Sequence, residues 1–493
     1  MDAQKRADML NEAKKSVLRA DNSAVEALHK SGKLSARERM NILFDENTFS
    51  ETAAFVKSNP MTFENPKGGE LEGIITGYGS INGRLVFAYS FDMARTLGSF
   101  GKAAAKKIVN LLENARKNGA PAVAVFDSAG ARLTEGVEVL SAYGEVLKKT
   151  ASLKGSVPLV SVICGNTSGL TAAIAAMSDI TVMEKKNGSY SFAPASVLNS
   201  DAKTKDAGKS SCASANGLTA FVCEGEEAAF AAVREVLEYL PSNRLDNNIY
   251  LEISDDPNRL TPELETAANA ADYDAKAVAA VLADGAKLLE VYAGIGKNVF
   301  TAFGSVGGVP CGIISVGGRL CETCMNKATE FISLCDAYSI PVLTLVNSEG
   351  MSDECEAKGG KVAKAASDLA YSYACTSSAK VTLITGNAIG AAFTVLGSKA
   401  VGADVAYALP SAKISVMEAE RAVQFMWGDK LAASKNLEKR GELSEAWETV
   451  CASPLAAANT GDIDDVIDYA MARRKVASAL EMLSMKKDFD DVL

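Results

Sequence analysis

Residues 158–182 read PLVSVICGNTSGLTAAIAAMSDITV, and residues 380–408 read KVTLITGNAIGAAFTVLGSKAVGADVAYA. Each opens with an apolar run of strand length and turns on Gly-Asn, at Gly165-Asn166 and Gly386-Asn387. Each then passes through a second glycine, Gly169 or Gly390, into a small-residue segment of helical character. The separation from Gly165 to Gly386 equals that from Gly169 to Gly390. A buried strand entering a helix through a glycine turn is an α/β unit with its loop at the strand's C-terminal edge. The uncharged runs Gly155–Ser178 and Val381–Ser398 are interrupted by Gly, Asn, Ser and Thr, so they read as strand–turn–helix rather than as membrane spans.

Working outward, nearly the same spacing returns twice. Pro121-AVAVF-Asp127-Ser128-Ala129-Gly130 follows a helical segment, and Pro341-VLTLV-Asn347-Ser348-Glu349-Gly350 does the same in the second half. Further upstream, TGYGSING (76–83) and TAFGSVGG (301–308) are each followed by an apolar run. These read as β-hairpins, with Asn82-Gly83 and Gly307-Gly308 at the positive-φ positions of a tight turn. No helix opens at Gly83, so Gly77-x-Gly79 is not a dinucleotide fingerprint. Three elements in one order at nearly constant offset mark an internal duplication. A polar, Pro-containing connector around residues 239–248 separates the copies, predicting domains at 1–245 and 246–493. A helical N-terminal extension precedes the first core, and Ser35-x-x-Glu38 in it is a capping box.

Composition narrows the chemistry. The chain has 493 residues, a net charge of −10, ten cysteines and a single histidine, His29. One histidine argues against Ser-His-Asp and Cys-His sites and against His-ligated metals, and no bound metal is expected. An acidic chain does not present the basic face of a nucleic-acid binder. The charged N-terminus has no apolar h-region, so no signal peptide is expected, and the cysteines point to reduced thiols in a cytoplasmic setting. Cys321-x-x-Cys324 stands without a second such pair or a nearby histidine, and small buried hydrophobes account for it more simply than zinc or redox chemistry.

Consecutive backbone N–H groups at a helix N-terminus favour negative charge. Gly169-Leu170 and Gly390-Ala391-Ala392 each offer such amides, the raw material of an oxyanion hole. The same glycines would serve equally to let helix and strand pack closely, and the residues alone do not separate the two. His29 reads as a surface or partly packed residue of an amphipathic helix, Trp427 and Trp447 as packing anchors, and MKKDFDD (485–491) as a solvated tail without a biotin-attachment pattern.

Ordered blocks run through the chain: SARERMNILFDENTFSE (35–51), GIITGYGSINGRLVFAYSFD (73–92), LGSFGKAAAKKI (97–108), GAPAVAVFDSAGARLTEGV (119–137), YLPSN (239–243), CDAYSIPVLTLV (335–346), LGSKAVGADVAYALPSAKISVMEAE (396–420) and GDIDDVID (461–468). In these, from about residue 35 to the C-terminus, the chain resembles the carboxyltransferase subunits of biotin-dependent acyl-CoA carboxylases and decarboxylases. The resemblance implies an α/β fold of two tandem crotonase-like domains (ClpP/crotonase superfamily). It implies carboxyl transfer between N1 of carboxybiotin and the α-carbon of an acyl-CoA, with one oxyanion held at Gly169-Leu170 and the other at Gly390, Ala391 and Ala392. Gly98, Ser99, Ser128, Ala129, Gly130 and Ala131 would line the acyl-CoA side, and Gly386 and Asn387 at the second turn are expected with them among the cofactor-binding residues. Biotin would arrive on a carboxyl carrier protein, with a biotin carboxylase or a membrane decarboxylase subunit as further partner. Sites shared between subunits would make a homo-oligomer, often a hexamer, cytoplasmic or peripheral to a membrane complex.

The chain departs from the family pattern at several points. Leu170 and Ala129 stand where glycine is common, Asn347-Ser348-Glu349-Gly350-Met351 replaces Val-Pro-Gly-Phe, and Thr394 and Met417–Arg421 are also divergent. These departures leave acyl preference open, and a non-catalytic assembly-supporting paralogue is the alternative reading. A crotonase-type hydratase or isomerase, the lowest-ranked reading, would need a positioned carboxylate; Glu135 and Glu349 lie near the loops, but nothing in their spacing pairs them.

Overall fold

The structure, a computed structural model, describes residues 3–18, 22–59, 61, 62, 64, 65, 67–194, 197, 206–246, 255–434, 437–484 and 486. It forms two compact units, Met1–Asn248 and Ile249–Leu493. The tail at 485–491 lies outside the described residues except for Lys486.

Among the described residues the first unit has nine strands: β1 (Ser50–Thr52), β2 (Ile74–Ile81), β3 (Arg84–Phe91), β4 (Ala122–Phe126), β5 (Leu159–Ile163), β6 (Asn166–Ser168), β7 (Ile180–Glu184), β8 (Ser189–Ser191) and β9 (Phe221–Cys223). Seven make one sheet in the order β1-β2-β3-β4-β5-β7-β9, while β6 and β8 pair apart from it. The β2–β3 pair is antiparallel, and from β3 onward the strands run parallel. AVAVF and LVSVI are buried at every position, because helices cover both faces of a parallel sheet and leave no polar alternation. The helix Lys102–Asn118 buries Ala104, Ala105, Ile108, Leu111, Leu112 and Ala115 at helical spacing and stops at Gly119, φ 57°.

The second unit repeats the plan with β10 (Leu289–Glu290), β11 (Val299–Val306), β12 (Val309–Gly317), β13 (Val342–Ser348), β14 (Lys380–Ile389), β15 (Val405–Ala408), β16 (Lys413–Ser415) and β17 (Asp465–Val466). The order is β10-β11-β12-β13-β14-β15-β17, with β16 on β14. Here one long strand, β14, does the work of β5 and β6, and its β16 partner corresponds to β8. Both hairpin turns have the expected positive φ, 50° and 75° at Asn82-Gly83 and 60° and 91° at Gly307-Gly308.

The duplication reaches further than the sequence motifs. The capping-box helix Ala36–Leu43, expected to be an extension ahead of the core, has a counterpart in Ala275–Leu282, capped by Asp274 where Ser35 caps the first. Asp45 accepts the N–H groups of Asn82 (3.1 Å) and Gly83 (2.9 Å) and pairs with Arg234 (2.7 Å). Asp284 accepts those of Gly307 (2.8 Å) and Gly308 (2.9 Å) and pairs with Arg473 (2.5 Å). The caps, the carboxylates and the arginines all share one offset between the copies. The helix at 36–43 is therefore part of the repeat.

Candidate functional site

In each unit two turns meet at the C-terminal ends of the central strands. In the first unit, the loop after β4 is tied to β6 by Ser128 N–H on the Asn166 carbonyl (2.9 Å) and by Asn166 Nδ2 on the Ser128 carbonyl (2.7 Å). Ser128 Oγ donates to the Gly98 carbonyl (2.7 Å) and accepts from Gly130 N–H (3.0 Å). Phe100 N–H donates to the Gly130 carbonyl and Arg132 N–H to the Phe100 carbonyl, both at 2.8 Å. The Arg132 guanidinium reaches Ser99 Oγ (3.3 Å) and the Ser99 carbonyl (3.1 Å). Gly98, Ser99 and Ser128 through Ala131 thus form one continuous cluster.

The second unit reproduces this frame. Leu320 N–H donates to the Gly350 carbonyl (2.9 Å), Ser352 N–H to the Leu320 carbonyl (2.8 Å), and Gly350 N–H meets Ser348 Oγ (3.3 Å). Asn387 N–H donates to Asn347 Oδ1 at 2.9 Å. Gly130 and Gly350 both have strongly positive φ, 98° and 111°.

The helix starts match most closely. Gly169 caps the helix Leu170–Ala176 at φ 62°, ψ −136°, and Gly390 caps Ala391–Val395 at φ 60°, ψ −136°. A Cβ at Gly169 would meet nothing within 4 Å, and one at Gly390 only the Val416 carbonyl at 3.1 Å. Close packing therefore does not require Gly169, and at Gly390 the carbonyl contact adds to the reason both share, a backbone conformation that L-residues rarely adopt. Packing does explain Gly165 and Gly386, where a Cβ would lie 1.8 Å from Asp127 Oδ1 and 2.6 Å from Asn347 Oδ1.

The geometry also corrects which amides are open. Gly169 N–H is committed to the Phe192 carbonyl and Gly390 N–H to the Ser415 carbonyl, both at 2.8 Å, and Ala129 N–H to Leu97 (3.0 Å). The two expected donors Gly169 and Gly390, and Ala129 of the expected acyl-CoA lining, spend their N–H groups holding the turns in shape. The N–H groups of Leu170 and Ala391, the first residues of their helices, have no intrahelical acceptor to reach. Ala131 N–H faces away from its bridge partner Phe100, because the flanking residues Gly130 and Arg132 make that bridge's bonds. Leu170 is half-buried and Ala391 exposed, whereas Ala392 is fully buried.

A cavity of about 620 Å³ opens on Gly390 and Ala391 and is lined further by Thr394, Ser415, Val416 and Asp462. Its volume is that of a small-molecule site. Trp447 donates its indole N–H to Ser415 Oγ (3.2 Å) and packs edge-on to Trp427, centroids 6.4 Å apart. The anchor expected of Trp447 thus supports the residue that holds Gly390. A larger cavity, about 990 Å³, lies between the helices Lys102–Asn118 and Glu138–Ala151; Glu135 lines it, but none of the residues expected to hold an oxyanion or acyl-CoA does.

Charged residues that sequence reading passed over support the first turn. Asp127, fully buried, accepts from Lys33 (3.0 Å) and Arg39 (3.1 Å), and Arg39 forks onto Glu226 with two bonds of 2.7 Å. In the second unit Asn347 and Val278 stand at the positions of Asp127 and Arg39, so this ion network belongs to one copy only. His29 bonds Glu38 Oε2 at 2.9 Å on an exposed face, far in sequence from either turn. Among the described residues no group of three or more His, Cys, Asp or Glu side chains could hold a metal. No helix among them is long and apolar enough to cross a membrane.

The model of the carboxyl transferase domain family matches residues 27–491. The chain belongs to that family. It is a carboxyltransferase, and the resemblance carried by the sequence blocks holds. The methylmalonyl-CoA carboxyltransferase 12S subunit of Propionibacterium freudenreichii subsp. shermanii is 33% identical over 94% of this chain and 91% of its own. The methylmalonyl-CoA decarboxylase subunit alpha of Propionigenium modestum is 32% identical over 99% of this chain and 97% of its own. A crystal structure of the transcarboxylase 12S hexamer with hydrolysed methylmalonyl-coenzyme A bound superposes with a TM-score of 0.91, at 32% identity, covering 99% of this chain and 97% of that one. The tandem α/β duplication is the crotonase-like fold of that carboxyltransferase.

Proposed function

We propose that this carboxyltransferase moves a carboxyl group between N1 of carboxybiotin, borne by a separate carrier protein, and the α-carbon of an acyl-CoA thioester. The observation that carries this reading is the pair of helix starts with one backbone conformation at Gly169 and Gly390, after which Leu170 and Ala391 each carry an N–H without an intrahelical acceptor. Transfer develops negative charge on two oxygens, that of the thioester enolate and that of the biotin ureido group. Each needs preorganised donors in a site shielded from water. Leu170 N–H, assisted by Ala131 N–H, would hold one oxyanion, and Ala391 N–H, with Ala392, the other. Gly98, Ser99 and the 128–131 loop would shape the acyl-CoA side. Gly386-Asn387 would fix the second turn rather than touch ligand. Biotin supplies the proton acceptor, so this chemistry needs no histidine.

The carboxylase and decarboxylase directions share one transition state, and relatives of both kinds align along the whole chain. A biotin carboxyl carrier protein, with a biotin carboxylase or a membrane decarboxylase subunit, would complete the complex in the cytoplasm or at its membrane face. A homohexamer would join the first unit of one subunit to the second of another.

The direct test incubates the purified protein with free biotin or a biotinylated carrier domain and malonyl-, methylmalonyl- or glutaconyl-CoA. Carboxybiotin should form together with the shortened acyl-CoA. Absence of transfer with every thioester, from an intact oligomer, would overturn the proposal.

A further inference from the structure

Cys321 is the N-cap residue of the long helix Glu322–Ala337, at φ −106°, ψ 170°. Cys324, one turn on, is 1% exposed, and its Sγ lies 2.8 Å from that of half-buried Cys321. Thr323 Oγ1 is 3.1 Å from the Cys321 sulfur. A helix N-terminus favours thiolate over thiol. Burial works against the Cys321 thiolate, but hydrogen bonds from the Cys324 thiol, the Thr323 hydroxyl and the backbone N–H groups of both hold this thiol below its usual range. Burial pushes the Cys324 thiol up. One accessible, activated sulfur thus faces one protected sulfur.

The scaffold does not demand this pair. The corresponding helix of the first unit starts at Lys102 with Gly101 as N-cap. Gly101 and Ala104 occupy the places of Cys321 and Cys324, at the same offset that relates Pro121 to Pro341. No third metal-ligating side chain joins the pair among the described residues. Leu320, bonded to the Gly350 turn on both sides, directly precedes Cys321.

We propose that Cys321 and Cys324 form a redox-active dithiol that closes to an intramolecular disulfide by exchange with a low-molecular-weight disulfide. The Cys321 thiolate attacks one sulfur of R–S–S–R, whose S–S bond breaks, and RS⁻ leaves and takes up a proton. Cys324 then loses its proton and attacks Cys321 Sγ in the mixed disulfide, expelling the second RS⁻. The protein pair is oxidised by two electrons, and the small disulfide is reduced to two thiols.

The test treats the native, assembled protein with oxidised glutathione, alkylates the remaining thiols and maps every cysteine by mass spectrometry. In the wild type the expected product is a 321–324 crosslink lacking two hydrogens, reversed by a thiol reductant. Cys324→Ser should instead accumulate glutathione on Cys321, faster than on exposed Cys451. Wild-type protein whose Cys321 and Cys324 both stay alkylatable, or a Cys324→Ser protein whose Cys321 reacts no faster than Cys451, would overturn the proposal.

Discussion

Four glycines in two turns do two different jobs, and substitutions can tell them apart. At Gly165 an added methyl would press into the carboxylate of Asp127, which Lys33 and Arg39 hold in place, so Gly165→Ala should cost about 1–3 kcal/mol in chemical denaturation. At Gly169 there is room for the methyl but not for the backbone conformation, so Gly169→Ala should cost about 1–3 kcal/mol, through strain. The open amides invite a cleaner test. Proline is tolerated at the first helical position because its missing N–H had no intrahelical role. Ala391→Pro should therefore leave stability within about 1 kcal/mol and lower kcat by roughly 10²–10³, the usual cost of one oxyanion donor. Equal loss of fold and rate would remove Ala391 from the mechanism. Arg39 is more exacting: Arg39→Ala leaves Glu226 and Asp127 buried without their shared cation, a loss of about 3–5 kcal/mol by thermal or urea unfolding.

At the level of elements, each hairpin tip is held by a carboxylate from elsewhere in its own unit. The Asp45 carboxyl is only partly buried. Its burial is outweighed by Gly83 N–H, Arg234 and Asn82 N–H, which bring it down to about 2. A carboxyl depressed in the folded state stabilises fully above its unfolded value and loses that contribution as pH falls through the folded one. Stability should therefore fall between about pH 5 and pH 2, and Asp45→Asn should flatten that limb while costing about 1 kcal/mol at neutral pH after solvent screening. Urea titrations across this range check both. The hairpins themselves were legible, because Asn-Gly and Gly-Gly between apolar runs have few other uses. So were the two strand–turn–helix passages. The clamps were not: Asp45 and Asp284 sit in unlike sequence surroundings, and unequal loops give them a wider spacing than the motifs share. Nor was it legible which amides stay open, since Gly169 and Gly390 are bonded to the distant carbonyls of Phe192 and Ser415. A glycine motif locates a turn, and only the partner strand shows what its N–H is doing.

For the whole molecule, duplication fixes how the labour is divided. Both units build one turn geometry, but only the first carries the buried network of Asp127, Arg39 and Glu226, and only the second carries the dithiol at Cys321. His29 lies outside both turns on an exposed helix, so His29→Ala should leave turnover within about twofold in the transfer assay. A large rate loss would mean that a side-chain base had been overlooked. The matched helix starts have a last implication, for inheritance. The amide that would do the work belongs to the main chain, whereas the residue bearing it is Leu170 in one copy and Ala391 in the other. Mutation can rewrite that side chain without deleting the donor. A lineage can therefore explore new thioesters through pocket shape while its reaction chemistry is passed down intact.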